Sequence, residues 1–169
     1  MASLIVRQIL NLSVAALVAL ALAGCGESRE GQTIPDEDEF FVQSEWAEYV
    51  KQSREHGYEP VVTHWHRIEV LETDPEICVS AQETMESWAA LRNLIGPMQA
   101  DSLSMDIRVR EEGDGTATGL LQRWGFKDDS TYGVDHRVTL EQEGECWRVK
   151  RVDTRHYCRR GTDGEGRCL

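Results

Sequence analysis

Apolar residues fall along this 169-residue chain in several distinct rhythms, and each rhythm predicts a different element. From Leu10 to Ala23 they run almost unbroken, with Arg7 ahead of them. That stretch is shorter than the roughly 20 residues a membrane-spanning helix needs. A polar, Gly-bearing segment, 26–34, follows. Phe41, Val42, Trp46, Tyr49 and Val50 then recur at three- and four-residue intervals. This spacing predicts an amphipathic helix that opens on the acids Asp36 to Glu39 and runs to about His56, with Gly57 as its stop.

From Pro60 to Leu71 the residues are β-branched and aromatic, which predicts a strand with Val62, His64, His66, Ile68 and Val70 on one face. Asp74-Pro75 reads as the start of a second helix reaching Ile95, with Ala81, Met85, Trp88, Leu91 and Ile95 inward. Ser80 with Glu83 offers a later capping box for the same helix, and Gly96-Pro97 ends it. The remainder alternates with period two. Leu103, Met105, Ile107 and Val109 are interleaved with polar residues, and so are Val134, His136, Val138 and Leu140. Gly113-Asp114-Gly115, Lys127 to Ser130 and Glu143-Gly144 punctuate the strands, and Trp147 and Val149 mark the last one. Such alternation buries one face of each strand and calls for an antiparallel meander. The fold class expected is α+β: two amphipathic helices packed on a curved, mainly antiparallel sheet of about five strands, both helices on one face.

The apolar run ends in Leu22-Ala23-Gly24-Cys25. A basic start, an apolar middle and small residues before a cut site mark a secretory signal. With cysteine directly after that site, the first 26 or so residues resemble the lipobox of bacterial lipoproteins. The resemblance implies that residues 1–24 are a signal peptide that is removed. Cys25 is then acylated, palmitate being one such chain, and becomes the first residue of the mature protein. Residues 25–35 become a lipidated tether, and 36–169 a single α+β domain with a cysteine-bearing C-terminal tail. Residue 26 is Gly. In Gram-negative members Asp at that place directs retention at the inner membrane, so the resemblance implies the inner leaflet of the outer membrane, facing the periplasm.

Composition sharpens this picture. The chain carries 30 acids against 18 Lys and Arg, a formal charge of −12. Arg7 is the only charged residue among the first 24, so the remainder is one charge more negative still. That balance excludes nucleic acid as a partner of the whole surface. Lys150, Arg151, Arg155, Arg159 and Arg160 nevertheless gather near the C-terminus, as a patch to balance the acidic first helix or to meet an anionic group. Beyond Cys25, the cysteines are Cys78, Cys146, Cys158 and Cys168. In an oxidising compartment four cysteines imply two disulfides, in any of three connectivities. The Gly-rich segment between Cys158 and Cys168 favours closing that short loop, which leaves Cys78 with Cys146.

The order helix, strand, helix and four strands, with Arg137 to Glu141 preceding Cys146 to Lys150, resembles the NTF2-like (cystatin-like) cone over about residues 36–157. The resemblance implies a pocket but carries over no catalytic residue. Trp65, Trp88, Trp124 and His136 are its candidate lining. His64 and His66, two apart on a strand, are candidate metal ligands if His136 or His56 supplies a third. Asp135-His136 has the residue types of an acid–base dyad, but strand neighbours face opposite sides. No nucleophile elbow or phosphate loop occurs, and no cofactor is implied. The leading functional expectation is a lipid-anchored envelope protein, non-enzymatic, that binds a ligand or an envelope protein partner. The alternatives are a pocket domain that binds or acts on a small hydrophobic molecule, and an acidic inhibitor of a cationic hydrolase.

Overall fold

Residues 38–43, 45–71, 76–95 and 104–169 are described by a computed structural model of the chain. The Leu22-to-Cys25 motif, the tether, Asp36, Asp74-Pro75, Gly96-Pro97 and Leu103 lie outside the described residues. The elements are a 3-10 turn (Glu39–Phe41), α1 (Trp46–Glu55), β1 (Val61–Val62), β2 (His66–Ile68), β3 (Glu76–Ile77), α2 (Ala81–Leu91), β4 (Ser104–Glu111), β5 (Thr116–Trp124), β6 (Thr131–Glu143) and β7 (Cys146–Cys158). All strand pairings are antiparallel. The short strands β1, β2 and β3 lie in succession along one side of β7, and β6, β5 and β4 follow on the other. The class is therefore α+β, as the alternation implied.

Register assigns every central side chain to a face. Gln122, Asp135 and Arg155 are cross-strand partners, as are Trp124, Gly133 and Tyr157 two residues further on. They share one face. Leu121, His136 and Thr154, with Gly119, Val138 and Val152, occupy the other. α2 covers the second face, where Met85, Trp88 and Ala89 join Leu121, Val138, Leu140 and Val152 in the larger core. Gly119 makes room for it: a Cβ there would lie 2.6 Å from Met85 Sδ. α1 meets the first face, where Tyr49 packs with Trp124, Tyr132 and Tyr157 in a second core. Gly133 has the same role there, since a Cβ would sit 2.8 Å from the Trp124 ring. The helices thus occupy opposite faces, which corrects the expectation of a single covered face. Both faces of the central strands are buried, and only an apolar count made on one of them suggests otherwise.

Other local expectations also change. The first helix starts at Trp46 rather than at the acidic run. The residues ahead of it form only the short 3-10 turn and are tied to the sheet: Arg108 Nη1 donates to the carbonyls of Phe40 and Val42, and the Gln43 side chain is buried. Val42 is consequently exposed. The Pro60–Leu71 strand is broken at 63–65. Val62 pairs with Tyr157 and His66 with Thr154, so four residues on one strand match three on β7. The extra residue is a bulge that reverses the alternation. Val62 joins the α1 core, whereas Ile68 and Val70 pack on the α2 core. The second helix uses the later cap: Ser80 Oγ accepts from the Glu83 amide at 3.1 Å. Glu76–Ile77 pairs with β7 instead, and Leu91 is exposed. Both disulfides join the favoured pairs, Cys78 with Cys146 and Cys158 with Cys168. Among the described residues no helix is long and apolar enough to cross a membrane.

Candidate functional site

The structure brings two of the four candidate pocket residues together. Trp88 on α2 meets His136 on β6 edge to face, with ring centroids 5.8 Å apart. Trp65 lies on the other side of the sheet, over the guanidinium groups of Arg137 and Arg155 at 4.5 and 4.4 Å. Trp124 belongs to the α1 core, 4.0 Å from the Tyr157 ring. These four residues do not share one cavity wall.

His136 is buried by Trp88 and the surrounding strands, and its Nδ1 makes no hydrogen bond. Burial, reinforced by Arg123, His156, Arg92 and His66, pushes its pKa down to about 3, so the ring is neutral at neutral pH. His66 stacks on His156 at 5.6 Å, and burial likewise lowers the pKa of His156. His64, in the interruption before β2, is exposed rather than aligned with His66 on a regular strand. Among the described residues no group of three or more His, Cys, Asp or Glu is placed to hold a metal ion.

Asp135 and His136 point away from each other, as strand geometry requires. Asp135 is fully buried on the α1 face. Its Oδ2 accepts from Gln43 Nε2 (2.9 Å), Tyr157 OH (2.7 Å) and both Nε and Nη2 of Arg155 (3.1 and 3.0 Å). Burial raises the Asp135 pKa, while Arg155, Tyr157 and Gln43 oppose that rise. Beside this pair, Asp153 accepts from Arg151 and Arg137. The sequence reading missed this network, although one signal was available: an acid at the centre of a long strand, opposite an arginine on the next.

A cleft of about 370 Å³ opens at the far end of the same face of the molecule, between the end of α1, the β5–β6 turn and the segment after β7. Each wall is fixed. The Tyr49 hydroxyl holds α1 to the sheet, accepting from the Val61 amide at 2.9 Å and lying 2.8 Å from the Cys158 carbonyl. Asp128 Oδ1 closes its turn by accepting from the Ser130 amide, the Ser130 hydroxyl and the Thr131 amide, and these bonds lower its pKa. Arg159 ties the walls together. Its three nitrogens donate to the carbonyls of Asp128 and Phe126 and to Gln52 Oε1, and its guanidinium lies 4.5 Å over the Tyr132 ring. The Cys158–Cys168 disulfide fastens the segment that follows. Comparison with protein-family models, curated proteins and solved structures finds no match to this chain.

Proposed function

We propose that this chain is a lipid-anchored cell-envelope protein that works as a non-enzymatic binding module, held by acyl chains on Cys25. The observation that carries the reading is Leu22-Ala23-Gly24-Cys25 at the end of a short apolar run behind a basic residue. Cysteine parity supports it. The chain has five cysteines, and the two disulfides use the four others, so Cys25 is left for other chemistry. Two disulfides also suit an oxidising compartment outside the cytosol. Several acyl chains, at about 0.8 kcal/mol per buried CH₂, fasten a domain of this size firmly to a bilayer. With Gly26 after the cysteine, the reading places the anchor in the inner leaflet of a Gram-negative outer membrane.

The docked segment limits how far such a domain can reach. Residues 38–43 are bonded to the sheet, so the stretch between the proposed anchor and the sheet is no longer than Cys25 to about Asp38. Fully extended, it spans at most about 45 Å. Partners are therefore to be sought close to the membrane surface. Feeding radiolabelled palmitate to a native host tests the reading. Label is expected in the membrane-bound wild type and absent from a Cys25→Ser variant. Equal labelling of the two, or a wild-type chain in the cytosol with reduced thiols, overturns it.

A further inference from the structure

We infer that the outer edge of β4 is a docking surface for a second copy of this chain, whose own β4 runs antiparallel to it and joins the two sheets across a two-fold axis at Ile107. The inference goes beyond the proposed function and does not require that Cys25 be acylated.

The two edges of the sheet differ. On the β7 side the edge is cut into β1, β2 and β3, of two, three and two residues, with a bulge between the first two. Short, bulged strands discourage pairing with another chain. β4 has neither defence. It is eight residues long, carries no proline and keeps one register with β5 throughout. The bond from the Glu112 amide to the Thr116 carbonyl (2.9 Å) sets the alternation of that ladder. Ser104, Asp106, Arg108 and Arg110 therefore bond inward to β5, and Met105, Ile107, Val109 and Glu111 point their amides and carbonyls outward. Among the described residues no main-chain group takes up those outward positions. The charges of the strand do not guard the edge, because they are tied down on the α1 face. Arg108 bonds Asp106, Gln122 and the Phe40 and Val42 carbonyls, and Arg110 bonds Asp38 and Glu112.

The order of residues around Ile107 selects a second copy. Antiparallel pairing centred there sets Met105 opposite the partner's Val109, and Ile107 opposite the partner's Ile107, as hydrogen-bonded pairs that each exchange two main-chain bonds. Asp106 then lies opposite the partner's Arg108 in the closer, non-bonded positions. A slip of two residues either way places Arg108 against Arg108 or Asp106 against Asp106, and like charges directly opposite are destabilising. A slip of one residue sets outward positions against inward ones. On the α2 face Met105, 47% exposed, meets the partner's Val109, so the row of Ile107 and Val109 packed on the larger core continues across the axis. Such an interface is isologous and closes at two copies. It also keeps both α1 faces on one side of the joined sheet. Asp38, held by Arg110, sits on that face, so the described fold begins on the same side in both copies, as two chains fastened to one bilayer require.

The test is sedimentation equilibrium of the full-length chain, in uncharged detergent micelles density-matched to the buffer, over a range of protein concentrations. A reversible equilibrium between one and two chains is expected. Met105→Pro removes an outward amide without touching a bond to β5, and Asp106→Arg sets like charges opposite each other. Each should weaken the dimer at least about tenfold, the first by losing two symmetry-related bonds and the second by turning two attractions into repulsions. Both should keep the two disulfides and the wild-type circular dichroism; if the proline variant misfolds, Asp106→Arg decides. Glu55→Arg makes the same charge change at the exposed end of α1 and should leave association unchanged. A mass fixed at one chain up to about 1 mM overturns the inference, whether the edge then stays bare or takes a strand from another protein. Growth beyond two chains, or equal association of Asp106→Arg and Glu55→Arg, also overturns it. Palmitate labelling that persists alongside such a failure removes the dimer and leaves the anchored reading intact.

Discussion

Burial of a neutral histidine makes a definite demand on the pH dependence of stability. His136 is 8% exposed, packs edge-on to Trp88, and has its pKa depressed to about 3 from an ordinary 6.5. In the unfolded chain it protonates near 6.5, whereas in the folded protein it does not until about 3. As pH falls through this window the unfolded state takes up a proton that the native state refuses. Stability is therefore present above about 6.5 and lost progressively below it. Each pH unit costs about 1.4 kcal/mol once the unfolded form is protonated, so the loss from pH 7 to pH 5 is about 2 kcal/mol. Other groups contribute as well: His156 acts in the same direction because burial lowers its pKa, and Asp135 opposes the trend because its pKa is raised. A difference measurement removes them. Urea unfolding of the wild type and of His136→Leu, followed by tryptophan fluorescence at pH 7, 6 and 5, compares two proteins that share every other titrating group. The gap is expected to shift by about 2 kcal/mol in favour of the leucine variant as pH drops from 7 to 5. A gap constant to within about 0.5 kcal/mol would refute the reasoning, for it would mean that the native ring protonates as readily as the unfolded one.

Two further outcomes follow from the buried pair and from the cross-links. Asp135→Leu leaves the Arg155 guanidinium, 3% exposed, without its counter-charge, and should cost about 3–5 kcal/mol in urea unfolding. Adding Arg155→Met to that variant should recover much of the loss, and no recovery would show that the pair does not act as a unit. Replacing Cys78 and Cys146 together by Ser opens a loop with a sequence separation of 68, and should cost about 4 kcal/mol in the chain-entropy picture. A loss below about 1 kcal/mol by thermal or urea unfolding would mean that β3 and β7 hold register without the bond.

The parts of this fold that were legible in the sequence are those whose determinants are local. Ser80 and Glu83 lie three residues apart and cap α2 through one hydrogen bond, so the cap could be read directly. The alternation survives: Val138 and Leu140 are buried in the larger core, and Ile107 and Val109 are half-buried against it. The start of α1 was not legible, because its competitor is distant. Gln43 is held by Asp135 and Tyr157, 92 and 114 residues away, and a helical pattern carries no trace of such partners. The face reversal at 63–65 escaped for a similar reason. A bulge is a mismatch between two strands, and one strand read alone shows only continuous β-branched residues.

The basic C-terminal patch shows why residue counts alone do not locate a site. As a run of charges, Lys150 to Arg160 reads as one surface that balances the acidic first helix. A strand divides it by period two, and the sheet then supplies different partners to each part. Lys150 reaches Glu141 and Glu143, Arg151 reaches Asp153, and Arg155 turns inward to Asp135. Those partners are acids of β6 and β7, not of α1. Arg159 does bond a side chain of α1, but its partner there is neutral Gln52. Where β7 has ended no neighbouring strand supplies acids in register, and the partner comes from a turn instead: Arg160 pairs with Asp129 at 2.6 Å. Arg160 stands at that place, and Lys127 faces the same cleft from the turn between β5 and β6, also outside the ladder.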